Sequence, residues 1–521
     1  MILLLLFALL LGSTPTWADV GFSGAAPVGK KFTFRLRGEP ETLDWNRAHT
    51  PKESNILLNI MEGLVTFDSN SRVMPALAAS WTVSPDEKVY TFKLRPGVKW
   101  SDDVPLKAAD FVYSWKRLLS PVTAAPYAYF LFDIEGAEAY SKGKLQDFNQ
   151  VGVKALDEST LEVRLAHPLS YWINIPGFWV TFPLRQDVVE KFGNDWAKPG
   201  RMVTLGPYSV ETHDIGARIT LRANANYYGI RGNVDEIVGL IVRDDKLALT
   251  LYGMGKIDFL ADLAAFKVTD PDQKADLRVF PRLKTQILGF SVDKYPLSNV
   301  KVRRAIGMAI DKRKIAGLLS GEEQAATTLV PPGLTGYSKT TGLAFNPTLA
   351  QAELKASGVL VSGDLSVDYY YPGGDKSKAI TDFVRDELKK NLGITVNLRE
   401  MGNTNYQSQL DMQAFPLFRY SWSADYPDPD NFLSAYLSHS DNSHVNWKNP
   451  VFDELVRSAR SIKGIKEREK QYLLLQKILL EEGAVIVPLY YEPSLVLVHR
   501  RVKTFEFNSS GYLFLRRVNV S

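Results

Sequence analysis

At 521 residues the chain is too long for a single hydrophobic core, and two or three domains are expected. A composition of 45% hydrophobic and 23% charged residues is that of an ordinary soluble protein, and a net charge of +4 with no Lys/Arg block leaves no footprint for nucleic acid. Having no cysteine excludes disulfides, thiolate catalysis and Cys-ligated metals.

Ile2 to Leu11 is an unbroken apolar run, too short for a membrane span, which takes roughly 20 apolar residues. Thr16-Trp-Ala18 follows with small residues, so 1–18 is predicted to be a secretory signal peptide cut after Ala18, although no Lys or Arg precedes the run. No cysteine stands at the cleavage site to carry a lipid. A secreted chain without that anchor stays with its cell only behind a second membrane, which points to a periplasm.

Lys31 to Arg37 alternates as a strand does, and Gly38-Glu-Pro40 breaks it. Glu53 to Leu64 carries Ile56, Leu57, Ile60, Met61 and Leu64 on one helical face. Val89 to Arg95 is predicted as a strand between two turns, Leu106 to Leu118 as a helix, and Val153 to Leu165 as two strands around Asp157-Glu158. Arg218 to Arg222 and Ile237 to Val242 read as strands, and Leu247 to Tyr252 starts a short helix.

The texture changes near Thr285. Strand Ile287 to Val292 leads into helix Val300 to Ile310, with Lys301, Arg303 and Arg304 expected outside. Helix Leu349 to Ala356, strand Leu365 to Tyr371, helix Ser377 to Leu392, strand Val396 to Glu400, helix Tyr406 to Gln413 and strand Phe415 to Tyr420 then alternate. That is the pattern of an α/β unit with a largely parallel sheet. Helices Phe452 to Ser461 and Glu467 to Glu482 come next. Val485 to Tyr491 is a strand whose Pro488 suits an edge or a crossover. No linker separates beads on a string, so the lobes are expected to share crossings of the chain.

The most chemically suggestive stretch runs from Arg419 to Leu433. Asp425 follows a Trp at a strand end, beside two prolines, where loops commonly present ligand-binding groups; a plain turn is the other reading. Asp425, Asp428 and Asp430 also form a carboxylate cluster of the kind used in glycoside chemistry, but prolines and an asparagine beside them suit a turn. No Gly-x-Ser-x-Gly, His-Glu-x-x-His or phosphate loop is found, so no enzymatic activity is expected. His439 and His444 flank a polar loop, and neither metal nor cofactor is expected there.

Several motifs follow one another at a family's spacing. They are Glu39-Pro-Glu-Thr-Leu-Asp44, Met61-Glu-Gly-Leu64, Pro75-Ala-Leu-Ala-Ala-Ser-Trp81, Tyr90-Thr-Phe-Lys-Leu-Arg-Pro-Gly-Val-Lys-Trp100, Gly206-Pro-Tyr208, Val302-Arg-Arg-Ala305 and Trp422-Ser-Ala-Asp-Tyr426. From about residue 31 onward the chain resembles the periplasmic oligopeptide-binding proteins, solute receptors of peptide ABC importers. The resemblance implies an α/β, periplasmic-binding-protein-like fold of two lobes and three domains. Domain I would be 19–61, 186–284 and 506–521, domain II 62–185 and domain III 285–505, with hinge crossings near Lys284 and residue 500. The implied ligand is an oligopeptide and the implied partner an ABC permease, with the receptor a monomer. Murein peptide, haem and nickel receptors share the fold.

The resemblance also implies roles for residues. Asp425 matches the aspartate that pairs with the peptide ammonium. Arg419 would orient Asp425 or meet a ligand carboxylate, and Trp422 and Ser423 would offer a wall and backbone groups. Ala48, His49 and Thr50 occupy the segment that bonds an extended ligand as an added strand. Tyr127 matches a cleft tyrosine, and Tyr490 and Tyr491 would add an aromatic wall. Leu410 and Asp411 stand where close oligopeptide binders have Arg and His, so the ligand's carboxyl end must be held differently.

Overall fold

The computed structural model describes residues 29–261, 270–359, 365–440 and 442–521. The expected leader, 1–18, lies outside the described residues.

Two large sheets anchor two lobes. The first has seven strands in the order Leu277–Phe280, Ser494–Val498, Phe259–Leu260, Lys31–Leu36, Glu236–Ile241, Arg218–Ala223 and Tyr208–Asp214. A four-stranded antiparallel sheet, Ala78–Val83, Val89–Leu94, Thr160–Arg164 and Val153–Asp157, extends the same lobe. Both sheets feed one apolar core, in which Trp45, Trp100, Trp115 and Trp172 are fully buried.

The second lobe is built on six strands, in the order Gln324–Ala325, Ile486–Tyr491, Lys284–Phe290, Leu417–Ser423, Ser366–Pro372 and Thr395–Met401. Separate apolar clusters include side chains from this sheet and its helices. Helix Asp375–Leu392 buries Ile380, Val384 and Leu388 at four-residue spacing, then stops where Gly393 adopts φ +72°.

The sheet is mixed, not largely parallel. Ser366–Pro372 runs parallel to both of its neighbours, but Lys284–Phe290 is antiparallel to both of its own. The reason is topological: Lys284–Phe290 brings the chain into the lobe and Ile486–Tyr491 takes it out, so the two neighbours run in opposite directions. Pro488 sits inside the sheet. The register slips between Gln286 and Ile287 opposite it, and such a bulge lets a strand carry a residue that has no N–H.

The chain crosses between lobes at 281–283 and again at Glu492–Pro493, because Ser494–Val498 already pairs in the first sheet. The second crossing therefore precedes the one expected near residue 500. Glu492 ties the crossings together: it accepts from Lys284 Nζ and Lys376 Nζ, each at 2.7 Å. The lobes also touch directly. Ser170 N–H donates to the Arg460 carbonyl at 3.0 Å, and Lys463 Nζ lies 3.1 Å from Glu87 Oε1.

Two local expectations change. The helix expected from Glu53 to Leu64 runs Pro51–Ile60, since Met61 turns extended and leads to Gly63, where a Cβ would lie 2.2 Å from the Pro176 carbonyl oxygen. Arg303, expected outside, is buried. Its guanidinium donates to the carbonyls of Leu297 and Gly483, both at 2.6 Å, and burial pushes its pKa down to about 10.

Candidate functional site

Strand Leu417–Ser423 reaches further than its sequence pattern suggests, taking Arg419, Trp422 and Ser423 into the ladder opposite Leu288, Thr285 and Lys284. Its other neighbour, Ser366–Pro372, pairs only through Leu417 and Phe418. Beyond Phe418 that side has no strand partner, and past Arg419, whose backbone is held by Tyr406 Oη, the edge is open. Arg419 N–H donates to Tyr406 Oη at 3.1 Å, and Ala424 N–H donates to the Leu283 carbonyl at 2.9 Å. These two bonds set the phase of the strand. Backbone groups of even-numbered residues face Lys284–Phe290, and those of Ser421 and Ser423 face the open edge.

Past the strand end, Asp425 is fixed by Asn431, whose Oδ1 accepts from Asp425 N–H at 3.1 Å and from Trp422 Nε1 at 3.2 Å. The following turn is nailed down by two buried acids. Asp428 accepts two bonds of 2.8 Å from Arg468, and Asp430 accepts from Arg460 at 2.7 and 3.2 Å. Those pairings give Asp428 and Asp430 a structural occupation and leave Asp425 alone among the three.

A cavity of about 210 Å³ lies at Asp425, between the lobes. Tyr129, Phe130, Asp133 and Tyr171 line it from the first lobe; Trp422, Asp425, Tyr426 and Arg460 line it from the second. Tyr171 stacks on Tyr426 with ring centroids 5.3 Å apart. Among the described residues, no Lys, Arg or His lies within ion-pair distance of Asp425. Burial pushes its carboxyl up to about 6, with the Asn431 amide opposing. The hydroxyls of Tyr127, Tyr129 and Tyr512 are pushed up by burial and, secondarily, by the charge at Asp425.

Arg419 does not orient Asp425. It is buried on the core side, where Nη2 donates to Gln286 Oε1 and Tyr490 Oη, both at 3.0 Å. Its Nε has no acceptor among the described residues, and none of their carboxylates pairs with it. Tyr490 and Tyr491 do not form one wall. Tyr490 points to Arg419, while Tyr491 Oη donates to the Thr328 carbonyl at 3.0 Å and accepts its N–H.

On the first lobe, Ala48 is buried and its carbonyl accepts from Trp179 Nε1 at 3.1 Å. Thr50 caps helix Pro51–Ile60, and its N–H donates to Glu53 Oε2 at 2.8 Å. His49 is exposed, and its carbonyl accepts from Tyr127 Oη at 3.4 Å. An added strand along this segment would meet backbone groups at Ala48 and Thr50 that already have partners. Leu410 is in the core, and Asp411 lies 4.0 Å from His444 Nδ1. Neither place supplies a cation.

Asp133, Tyr171, Tyr426, Asn431 and Arg460 were not singled out from sequence. A signal existed for Asp133, the first charge after the aromatic run Tyr127-Ala-Tyr-Phe-Leu-Phe.

Residues 72–444 match the family model described as "Bacterial extracellular solute-binding proteins, family 5 Middle". The chain is similar to the "Probable deoxycholate-binding periplasmic protein YgiS" of Escherichia coli, at 31% identity over 98% of this chain and 97% of that protein. It is likewise 31% identical to the "Periplasmic oligopeptide-binding protein OppA" of Salmonella typhimurium, covering 94% of this chain and 92% of the relative. Among solved structures, the murein tripeptide binding protein MppA of Escherichia coli superposes with a TM-score of 0.78 at 27% identity, covering 95% and 99% of the two chains. The Haemophilus influenzae OppA complex with the peptide RPPGFSPFR gives 0.77 at 26%, covering 94% and 99%.

Proposed function

This chain belongs to family 5 of the bacterial extracellular solute-binding proteins, and from that membership we propose that it is a peptide receptor that captures the ligand's amino end at Asp425 between its lobes. It works in the periplasm as a monomer, delivers its ligand to an ABC permease and catalyses no reaction. One observation carries the reading: a carboxylate without a counter-cation among the described residues faces a cavity walled by both lobes. Removing a charge from water without a partner is costly, so closure favours a ligand that brings an ammonium.

The neighbouring geometry suits an extended peptide. From Asp425 the open edge of Ser423 and Ser421 offers main-chain donors and acceptors, which bind any sequence.

Native mass spectrometry of protein purified from its own host tests this reading. Bound masses that fragment as short peptides are expected. A bile acid, haem or metal adduct with no peptide overturns it.

A pH dependence follows from Asp425. Its free carboxyl titrates at about 6, and an ammonium holds the bound carboxylate ionised. Peptide affinity is therefore greatest near pH 7, falls below pH 6 by about tenfold per unit with one proton released on binding, and falls again above about pH 8 as the free peptide's α-ammonium deprotonates. For the empty protein the sign is opposite. A folded carboxyl raised above its unfolded value of 3.8 destabilises at neutral pH, and that penalty is relieved as pH falls from 6 toward 4. Titration calorimetry at pH 5.0 and 7.5 in buffers of differing ionisation enthalpy reads both the affinity and the proton.

A further inference from the structure

The cavity at Asp425 holds a second acid that capture of an ammonium does not use. Asp133 enters from the opposite lobe, just after the short helix Ala128–Leu131, and accepts a hydrogen bond of 3.0 Å from Tyr171 Oη. No cation lies within ion-pair distance of it among the described residues. Arg460 lines the same cavity, but its Nε and Nη2 donate to Asp430, and Arg468 is occupied by Asp428. Arg460 and Arg468 are thus each engaged by a second-lobe acid, and Asp425 and Asp133, one on each lobe, have no direct ion pair among the described residues, although Arg460 and His167 act on Asp133 from farther away. Burial pushes the Asp133 carboxyl up, Arg460 draws it down, and Asp430 adds to the rise.

A single α-ammonium answers only one of these charges. At about 210 Å³ the cavity is smaller than the ~300–1,000 Å³ of typical small-molecule pockets, so it fits a terminal residue and not a whole peptide. Its walls are Tyr129, Phe130, Tyr171 and Trp422, aromatic faces that can cover the methylene stem of a long side chain while its charged head finds a carboxylate.

We infer that Asp133 is a specificity-determining residue, and that the preferred ligands are peptides whose first residue carries a basic side chain, its α-ammonium on Asp425 and its side-chain cation on Asp133. The inference rests on Asp425 being the ammonium site.

The test compares Lys-Ala-Ala with norleucine-Ala-Ala, which has the same stem without the charge, by calorimetry on the intact protein at pH 7.5, together with N-acetyl-Lys-Ala-Ala. The lysine peptide is expected to bind at least about tenfold more tightly than the norleucine peptide, as a partly desolvated ion pair requires. Asp133→Asn, which keeps an acceptor for Tyr171, is expected to bring the ratio of lysine-peptide to norleucine-peptide affinity close to one. Equal binding of the two free peptides to the wild-type protein overturns the inference whether or not the variant folds. If those peptides bind equally and acetylation still abolishes binding, ammonium capture at Asp425 stands and only the role of Asp133 falls. If no peptide binds, both fall. A variant that loses thermal stability but keeps the lysine preference makes Asp133 structural and also overturns the inference.

Discussion

Acetylating the amino terminus of a bound tripeptide is expected to cost the wild-type protein about 100- to 1,000-fold in affinity and the Asp425→Asn variant almost nothing. The size follows from stripping one partner from a buried ion pair, about 3–5 kcal/mol, converted at 1.4 kcal/mol per decade. Two charges 4 Å apart attract by about 4 kcal/mol at an effective dielectric of 20, against about 1 in water, so closing the lobes over the pair gives it most of its strength. Acetylation and Asp425→Asn remove the same interaction from opposite sides, so their effects should not add, and the coupling energy of the cycle reads the pair itself. The variant also separates binding from folding. The empty protein holds Asp425 with its carboxyl pushed up to about 6, so burying that charge already costs stability, and asparagine is expected to leave the melting temperature unchanged or raise it. Equal affinity for free and acetylated peptide, or a large melting loss in the variant, removes Asp425 from the ligand and makes it a turn residue.

The parts of the fold that could be read from the sequence are those set by local periodicity. Helix Asp375–Leu392 and strand Thr160–Arg164 lie within a residue or two of their patterns because burial on one face dictates the spacing. What was not legible depends on distant partners. Arg303 looks like a solvated helix residue until the carbonyls of Leu297 and Gly483 are brought to it. The end of the Leu417–Ser423 strand cannot be read from Ser421 and Ser423, because the ladder is extended by Lys284 and Gln286 in a strand far away in sequence. At the candidate site, Asp425 could be singled out by its motif, but its isolation could not. That Asp428 and Asp430 are each satisfied by an arginine some 30 to 40 residues on, while Asp425 is not, is a tertiary fact. The first-lobe wall was invisible for the same reason: Tyr171, which holds Asp133, stacks on Tyr426 only when the lobes meet.

That division of labour among the three acids yields the second large effect. Arg468→Ala is expected to destabilise the second lobe by about 3–5 kcal/mol, the range for leaving one member of a buried pair without its partner. Arg468 donates two bonds of 2.8 Å to Asp428, and both side chains are largely buried. Its removal strands a carboxylate whose remaining side-chain contacts are the Asp430 N–H at 2.9 Å and Tyr472 Oη at 3.4 Å. In a lobe of this size each kcal/mol is worth roughly 2–4 °C of melting temperature. Two further measurements separate a stranded charge from lost packing by the arginine stem. Burial already pushes the Asp428 carboxyl up despite Arg468, and without the arginine it rises further above its unfolded value. The folded variant then binds a proton that the unfolded chain does not, so its deficit should shrink as pH falls from 7.5 to 5. Adding Asp428→Asn should recover most of the loss at neutral pH, since both halves of the pair are then gone. A deficit that is independent of pH and not rescued by Asp428→Asn would assign the effect to packing over Tyr472, whose ring centre lies 4.9 Å from the guanidinium carbon. Because the same turn carries Asp425, Arg468→Ala should also weaken binding of a free peptide more than of its acetylated form, and a uniform loss would mean that the turn does not position the acid.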